Sequence, residues 1–403
     1  MTGIKQLLQR KGYLALVAIM ASSGLVAGLP VLQVAATTCA TLNNHLSGSN
    51  FEIDAAVPNS SKLGAQAGAN LTLDGLSPCV DWSTKAPGAG TGTTADLTTG
   101  VIVKADKPSG TGDDSFGQGT SENDPNPTIV SGSIPPNKSD LQDFGIFKEL
   151  TINGRFLNLF WSRINSPSGT VTMDFELNKL FCDPSATPTN CAFNGKGVTP
   201  ETPLRSNNDR LIVFALASGG VVPTLSIYHW SGNSTSGSWV FDSVISGGSS
   251  PEALGSINFS AIAAIDSAGL GAKDPLTFGE ASIDFKAIFS GITGCGSFGS
   301  VYLKSRSSNT FTDELKDFIA PQPVTITNCT SLTTNATAGP VTIGGSISDT
   351  ATLAGAISPT GTVTFTAYSA AGCAVSSLVF TSSAQTLTGE VIADHARQED
   401  LCS

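Results

Sequence analysis

Charge and histidine are both scarce in this chain. Of its 403 residues only 13% are Asp, Glu, Lys or Arg, and 3 are His, at positions 45, 229 and 395. Low charge combined with 43 Gly and 21 Pro argues against a helix-rich protein and for a loop-rich, all-β one. No C-x-x-C pair occurs, so with so few histidines the cysteines make a poor metal site. No G-x-S-x-G is present and neither His45 nor His229 stands in a recognisable triad context, which leaves serine hydrolysis without support. Basic residues are the scarcer charge, and phosphate backbones would be repelled, which excludes nucleic acid as a partner.

What is present begins with a leader. Lys5, Arg10 and Lys11 precede an apolar run from Tyr13 to Leu32, followed by Val34, Ala35 and Ala36. This pattern predicts a secretory signal peptide over residues 1–36, cleaved after Ala36. A retained membrane anchor is the alternative, which Gly24, Gly28 and Pro30 argue against by interrupting the run. Cleavage leaves 18 Lys plus Arg against 32 Asp plus Glu, a net charge of −14, and no membrane association. All eight cysteines lie beyond the leader and suit an oxidising exterior. The pairs expected are Cys39–Cys79, Cys182–Cys191 and Cys295–Cys329.

The fold class expected is all-β: a jelly-roll-like β-sandwich over residues 37–325 with few short helices. A partial immunoglobulin-like module follows over 326–389, then a charged, helix-like tail over 390–403. The clearest segment runs from Leu141 to Asn178. Reading Asn165 to Gly169 as a turn and pairing Ile164 with Thr170 makes a hairpin. Leu157, Leu159 and Trp161 then stand opposite Leu177, Phe175 and Met173 on an apolar face, while Asn158, Ser162, Thr172, Asp174, Glu176 and Asn178 collect on a polar one, broken by Phe156 and Phe160. Further strands are expected at Leu211–Leu216, Thr224–Trp230, Ser238–Phe241 and Ser297–Leu303. Phe278 to Phe289 is ambiguous between strand and short helix. Thr310, with Asp313 three residues on, predicts a helix to about Phe318, stopped by Pro321.

Several phrases together, DDSFGQGT (113–120), SGSIPPNKSDL (131–141), FLNLFWSRINSPSGTVTMDFELNK (156–179), TFGEASIDF (277–285) and SFGSVYLKSRSSNTFTDELKDFIAP (297–321), resemble uncharacterised secreted and surface proteins of actinobacteria and related Gram-positive bacteria. In that group a large β-domain precedes immunoglobulin-like or prealbumin-like repeats, and ISPTGTVTFTAY (357–368) is similar to such repeats. The resemblance implies extracellular localisation, at the cell surface or free of it, and supplies no catalytic residues. No LPxTG-like sorting motif and no terminal hydrophobic segment occurs, so covalent wall attachment is not expected of this chain.

Three constellations carry possible chemistry. Asp174 and Glu176, with Asn158 and Asn178 beside or across from them, could bind a glycan, and Trp230 and Trp239 could stack on sugar rings. MDFELN is superficially similar to the acid-bearing strand of laminarinase-like glycosidases, but Thr172 stands where the first Glu would be. Retaining hydrolysis wants carboxyl groups about 5 Å apart, against roughly 6.5 Å between residues i and i+2 of a strand. An ordinary solvated strand face is the bland reading. Asp113, Asp114, Glu122 and Asp124 could supply oxygen ligands to calcium, though without D-x-D-x-D-G spacing. Gly294 to Gly299 matches G-x-G-x-x-G literally, but a strand, not a helix, is expected after it. The function expected is a non-catalytic structural, adhesive or interaction role, with no cofactor unless calcium. A surface glycan or another surface protein would be the partner, and the alternatives are a glycan-binding module or, remotely, a polysaccharide hydrolase.

Overall fold

The computed structural model describes residues 44–55, 70–73, 77–107, 112–132, 139–151, 153–166, 172–185, 188–192, 201–216, 222–336, 346–354, 361–368, 375–386 and 392–398. The expected leader and Cys39 lie outside them. The chain forms an all-β sandwich, as composition and alternation predict. Its strands are β1 (Ile102–Ala105), β2 (Asp114–Phe116), β3 (Ile129–Ser131), β4 (Leu141–Thr151), β5 (Gly154–Arg163), β6 (Thr172–Asn178), β7 (Arg210–Ala215), β8 (Thr224–Gly232), β9 (Gly237–Val244), β10 (Ala253–Ile257), β11 (Phe278–Asp284), β12 (Ser297–Arg306) and β13 (Leu315–Thr327). A five-stranded sheet has the order β1-β4-β5-β11-β10, and an eight-stranded sheet the order β3-β2-β13-β12-β6-β7-β8-β9. Neighbours within both sheets are antiparallel.

The expected hairpin between β5 and β6 does not form. β5 pairs with β4 and β11, whereas β6 pairs with β7 and β12, so the two strands belong to opposite sheets. The alternation itself survives this change of partner. Leu157, Leu159 and Trp161 face Met173, Phe175 and Leu177 across the interior of the sandwich, in one cluster with Phe144, Ile212, Phe214 and Leu303. Phe144 meets Phe175 with ring centroids 6.2 Å apart, and Trp161 meets Phe214 at 5.9 Å. A period of two records which face is apolar, but not whether its partner lies beside it or a sheet's thickness away.

Both outer faces are covered as well. Phe51, Ile53, Leu71 and Trp82 of the segment before β1 pack on Phe160 and Phe278 behind the five-stranded sheet. Leu211, Val213, Trp230 and Trp239 form a smaller cluster behind the eight-stranded one. All of β6 is therefore buried, and its polar side chains do not form a solvated face.

Phe278 to Phe289 resolves as both alternatives, β11 followed by the short helix α1 (Phe285–Ile288), whose first turn is capped by Asp284 accepting from the Lys286 amide at 2.9 Å. The helix expected from Thr310 is absent. One turn closes from the Asp313 amide to the Thr310 carbonyl, and β13 starts at Leu315 because Leu315, Phe318 and Ile319 are buried in pairing with β12. Pro321 and Pro323 fall where the β12–β13 register shifts, a place where a missing N–H is tolerated. Beyond β13, β14 (Ser331–Ala336), β15 (Ser346–Ala354) and Ile392–Gln398 form a three-stranded sheet, and two short two-stranded ladders use residues 362–386. Of the tail read as helix-like, Ile392–Gln398 is a strand paired to β15, and the rest lies outside the described residues. No helix among the described residues is long and apolar enough to cross a membrane.

Two of the expected disulfides, Cys182–Cys191 and Cys295–Cys329, are formed. Cys79 is also disulfide-bonded. The glycines of 294–299 turn the chain around Cys295 into β12, with no helix N-terminus following.

Candidate functional site

β6 and β12 run side by side with Glu176 opposite Tyr302 and Asp174 opposite Lys304. Period-two alternation puts Asp174, Glu176 and Asn178 on the same outer face as Tyr302, Lys304 and Arg306. Carboxylates on one strand thus meet cations on the next. Arg205, arriving from the loop before β7, completes the set.

Glu176 accepts five side-chain hydrogen bonds. Oε1 takes Arg205 Nε at 2.9 Å and Asn178 Nδ2 at 2.8 Å. Oε2 takes Arg205 Nη2 at 2.8 Å, Tyr302 Oη at 2.8 Å and Lys304 Nζ at 2.6 Å. Lys304 also donates to Glu122 Oε2 at 2.6 Å, and Arg306 grips Asp174 through Nε at 3.1 Å and Nη2 at 3.2 Å. The lid is the loop after β2, whose Glu122 and Asp124 carbonyls both accept from Arg205 Nη1 at 2.7 Å. Above lie the rings of Trp230 and Trp239, whose centroids are 4.7 Å and 5.1 Å from the Arg205 guanidinium carbon. Burial alone would raise Glu176, yet Arg205 and Lys304 hold its carboxyl far below the usual range. Asp209, which also accepts from Asn178, is pushed up to about 7 by burial.

Asp174, Glu176, Asn178, Trp230 and Trp239, expected as ligand contacts, are therefore brought together, but as an enclosed ion-pair cluster under aromatic cover. Trp230 is 0% exposed and Trp239 5%, which leaves neither ring face open to a sugar. Asn158 sits elsewhere, on β5 behind the other sheet beside Glu149. The loop set Asp113, Asp114, Glu122 and Asp124 is also divided. Glu122 belongs to the cluster with Lys304, Asp124 Oδ2 accepts from the Ser121 amide at 2.8 Å, and Asp114 on β2 lies near Glu201. Only Asp113 joins an acidic group.

That group holds oxygens of Asp106, Asp113 and Asp317 within 4.8 Å of one another. Asp106 follows β1, Asp113 precedes β2, and Asp317 lies in β13, with Asp140, immediately before β4, adding its charge. Two carboxylates at that separation repel by roughly 3 to 4 kcal/mol at an effective dielectric constant of about 20. Burial, and then mutual repulsion, pushes Asp106 up to about 8, Asp140 to about 6 and Asp317 to about 9. A second group, Glu52, Asp54 and Asp81, likewise brings its carboxylate oxygens within 4.8 Å of one another behind the other sheet. Glu280 stands beside it, accepting from the Asp54 and Ala55 amides and from Trp82 Nε1 at 2.7 to 2.8 Å.

Sequence reasoning missed Arg205, Lys304 and Arg306, although in a chain so poor in charge Lys304 and Arg306 two apart on a strand were a legible sign. It also missed Asp106, Asp140 and Asp317, which nothing local connects. Compared with family models, with curated proteins and with solved structures, the chain finds no match.

Proposed function

We propose that this protein is a secreted, non-catalytic structural or adhesive component of a bacterial cell surface. The observation that carries the non-catalytic part is the state of Glu176. Both of its oxygens are saturated by donors and two cations are in contact with it, so it is held as an anion that neither gives a proton nor reaches a sugar carbon. Asp174 is 0% exposed and its carboxylate is gripped by Arg306, although burial pushes it up to about 7. The leader pattern and the disulfides support the exterior as its compartment. Support for contact with other surface molecules comes from the edge strand β9, where Val240, Phe241 and Val244 are 40%, 53% and 53% exposed. Apolar side chains on a sheet edge favour association.

The test is to express the full chain in a Gram-positive host, follow it by surface biotinylation, and assay the purified protein against a polysaccharide panel for new reducing ends. The expected result is an externally labelled protein that releases none. Retention inside the cell, or hydrolysis that Glu176→Gln abolishes in a still-folded protein, would overturn the reading.

A further inference from the structure

We propose that Asp106, Asp113, Asp140 and Asp317 bind a calcium ion that clasps the two sheets together. The four residues come from four separate stretches, and their strands divide between the sheets: β1 and β4 in the five-stranded one, β2 and β13 in the eight-stranded one. The ligand oxygens of Asp106, Asp113 and Asp317 lie within 4.8 Å of one another. Oxygens on opposite sides of a calcium ion at 2.3 to 2.6 Å stand about 4.6 to 5.2 Å apart. The donors are all hard oxygens, which suits calcium and not zinc.

The independent observation is Asp140. It is 2% exposed, its Oδ1 has no hydrogen-bond partner, and its charge acts on Asp106 and Asp317 and feels that of Asp113. The buried Oδ2 of Asp106 and the hydroxyl of Ser139, itself 0% exposed, are also without partners. Glu176 and Asp174 are equally buried and each meets its own cation. The charges acting on Asp106, Asp140 and Asp317 are those of other carboxylates. Carboxyl groups gathered in this way, with an orphaned buried oxygen on Asp140 among them, are what a divalent cation recognises. Calcium sites of extracellular modules bind in the 0.1 to 1 mM range, about that of the surroundings proposed above.

The experiment strips the purified full chain with chelator, exchanges it into chelator-free buffer, and records thermal melts and calorimetric titrations with calcium and, as a control, magnesium. Calcium should raise the melting temperature more than magnesium does. Asp140→Asn and Asp106→Asn should weaken calcium binding about tenfold or more. Because each removes one carboxyl from a set whose members repel one another when ionised, both variants should melt at or above the wild type without calcium yet gain less from it. A merely structural role would instead lower the melt in both conditions. Wild-type protein that shows neither heat nor shift with calcium overturns the proposal even if the variants fail to fold. So does calcium binding that survives both substitutions, which would place the ion at Glu52, Asp54 and Asp81.

Discussion

Arg205 holds Glu176 by both of its carboxylate oxygens, Nε at 2.9 Å and Nη2 at 2.8 Å, while its guanidinium carbon lies 4.7 Å from the centroid of Trp230. A fork-to-fork pair of this kind is fixed in direction as well as charge. It turns the polar face of β6 from a surface into an interior, and it ties the loop before β7 to the loop after β2 through the Glu122 and Asp124 carbonyls.

Tyr302 tests the completeness of this shell. Its hydroxyl is buried and donates to Glu176 Oε2 at 2.8 Å. Tyr302→Phe removes one hydrogen bond to a charged acceptor and should cost about 1.5 to 3 kcal/mol, read as a lower urea midpoint at unchanged slope.

The pH dependence has a definite sign. Glu176 and Glu122 are both held below their ordinary value of 4.5 in the folded protein. Their contribution is therefore present above about pH 4.5 and lost as pH falls below it, where the unfolded chain takes up protons first. Asp209 and Asp174, each raised by burial from 3.8 to about 7, work in reverse and cost stability as pH rises between those values. Urea melts from pH 3 to 8 should show both limbs, and Glu176→Gln should flatten the acid one.

Gly279 of β11 stands directly opposite Trp161 of β5. A Cβ there would come within 2.4 Å of the indole ring. Gly279→Ala should destabilise by about 1 to 3 kcal/mol through overpacking, with a change in Trp fluorescence because Trp161 must shift.

The disulfides close loops of different length, with separations of 9 residues for Cys182–Cys191 and 34 for Cys295–Cys329. On chain entropy alone their loss should cost about 2.7 and about 3.8 kcal/mol respectively. Paired Cys→Ser variants compared by thermal melt should fall in that order.

Much of the fold was legible because apolar alternation is local. Leu157, Leu159, Trp161, Met173, Phe175 and Leu177 were assigned to a core face that they do occupy. Their partners were not legible, since hairpin neighbour and opposite sheet leave the same period-two record. The same limit explains the site. Asp174 and Glu176 were visible as unusual, but their pairing with Lys304 and Arg306 depends on β12 lying beside β6, more than 100 residues away in the chain, and that with Arg205 on the loop before β7 folding over the same face. The strand from Leu315 was hidden by the cap-like Thr310 and Asp313 just before it, where pairing with β12 decided the outcome.

The most direct test is a double-mutant cycle between Glu176 and Arg205, using Glu176→Gln, Arg205→Met and both together, with urea melts and a glycan array run on each protein. A structural pair predicts that each single change costs about 3 to 5 kcal/mol, that the double costs clearly less than their sum, and that glycan binding is absent throughout. Unchanged stability in Glu176→Gln, together with a glycan signal that this variant loses, would contradict the account.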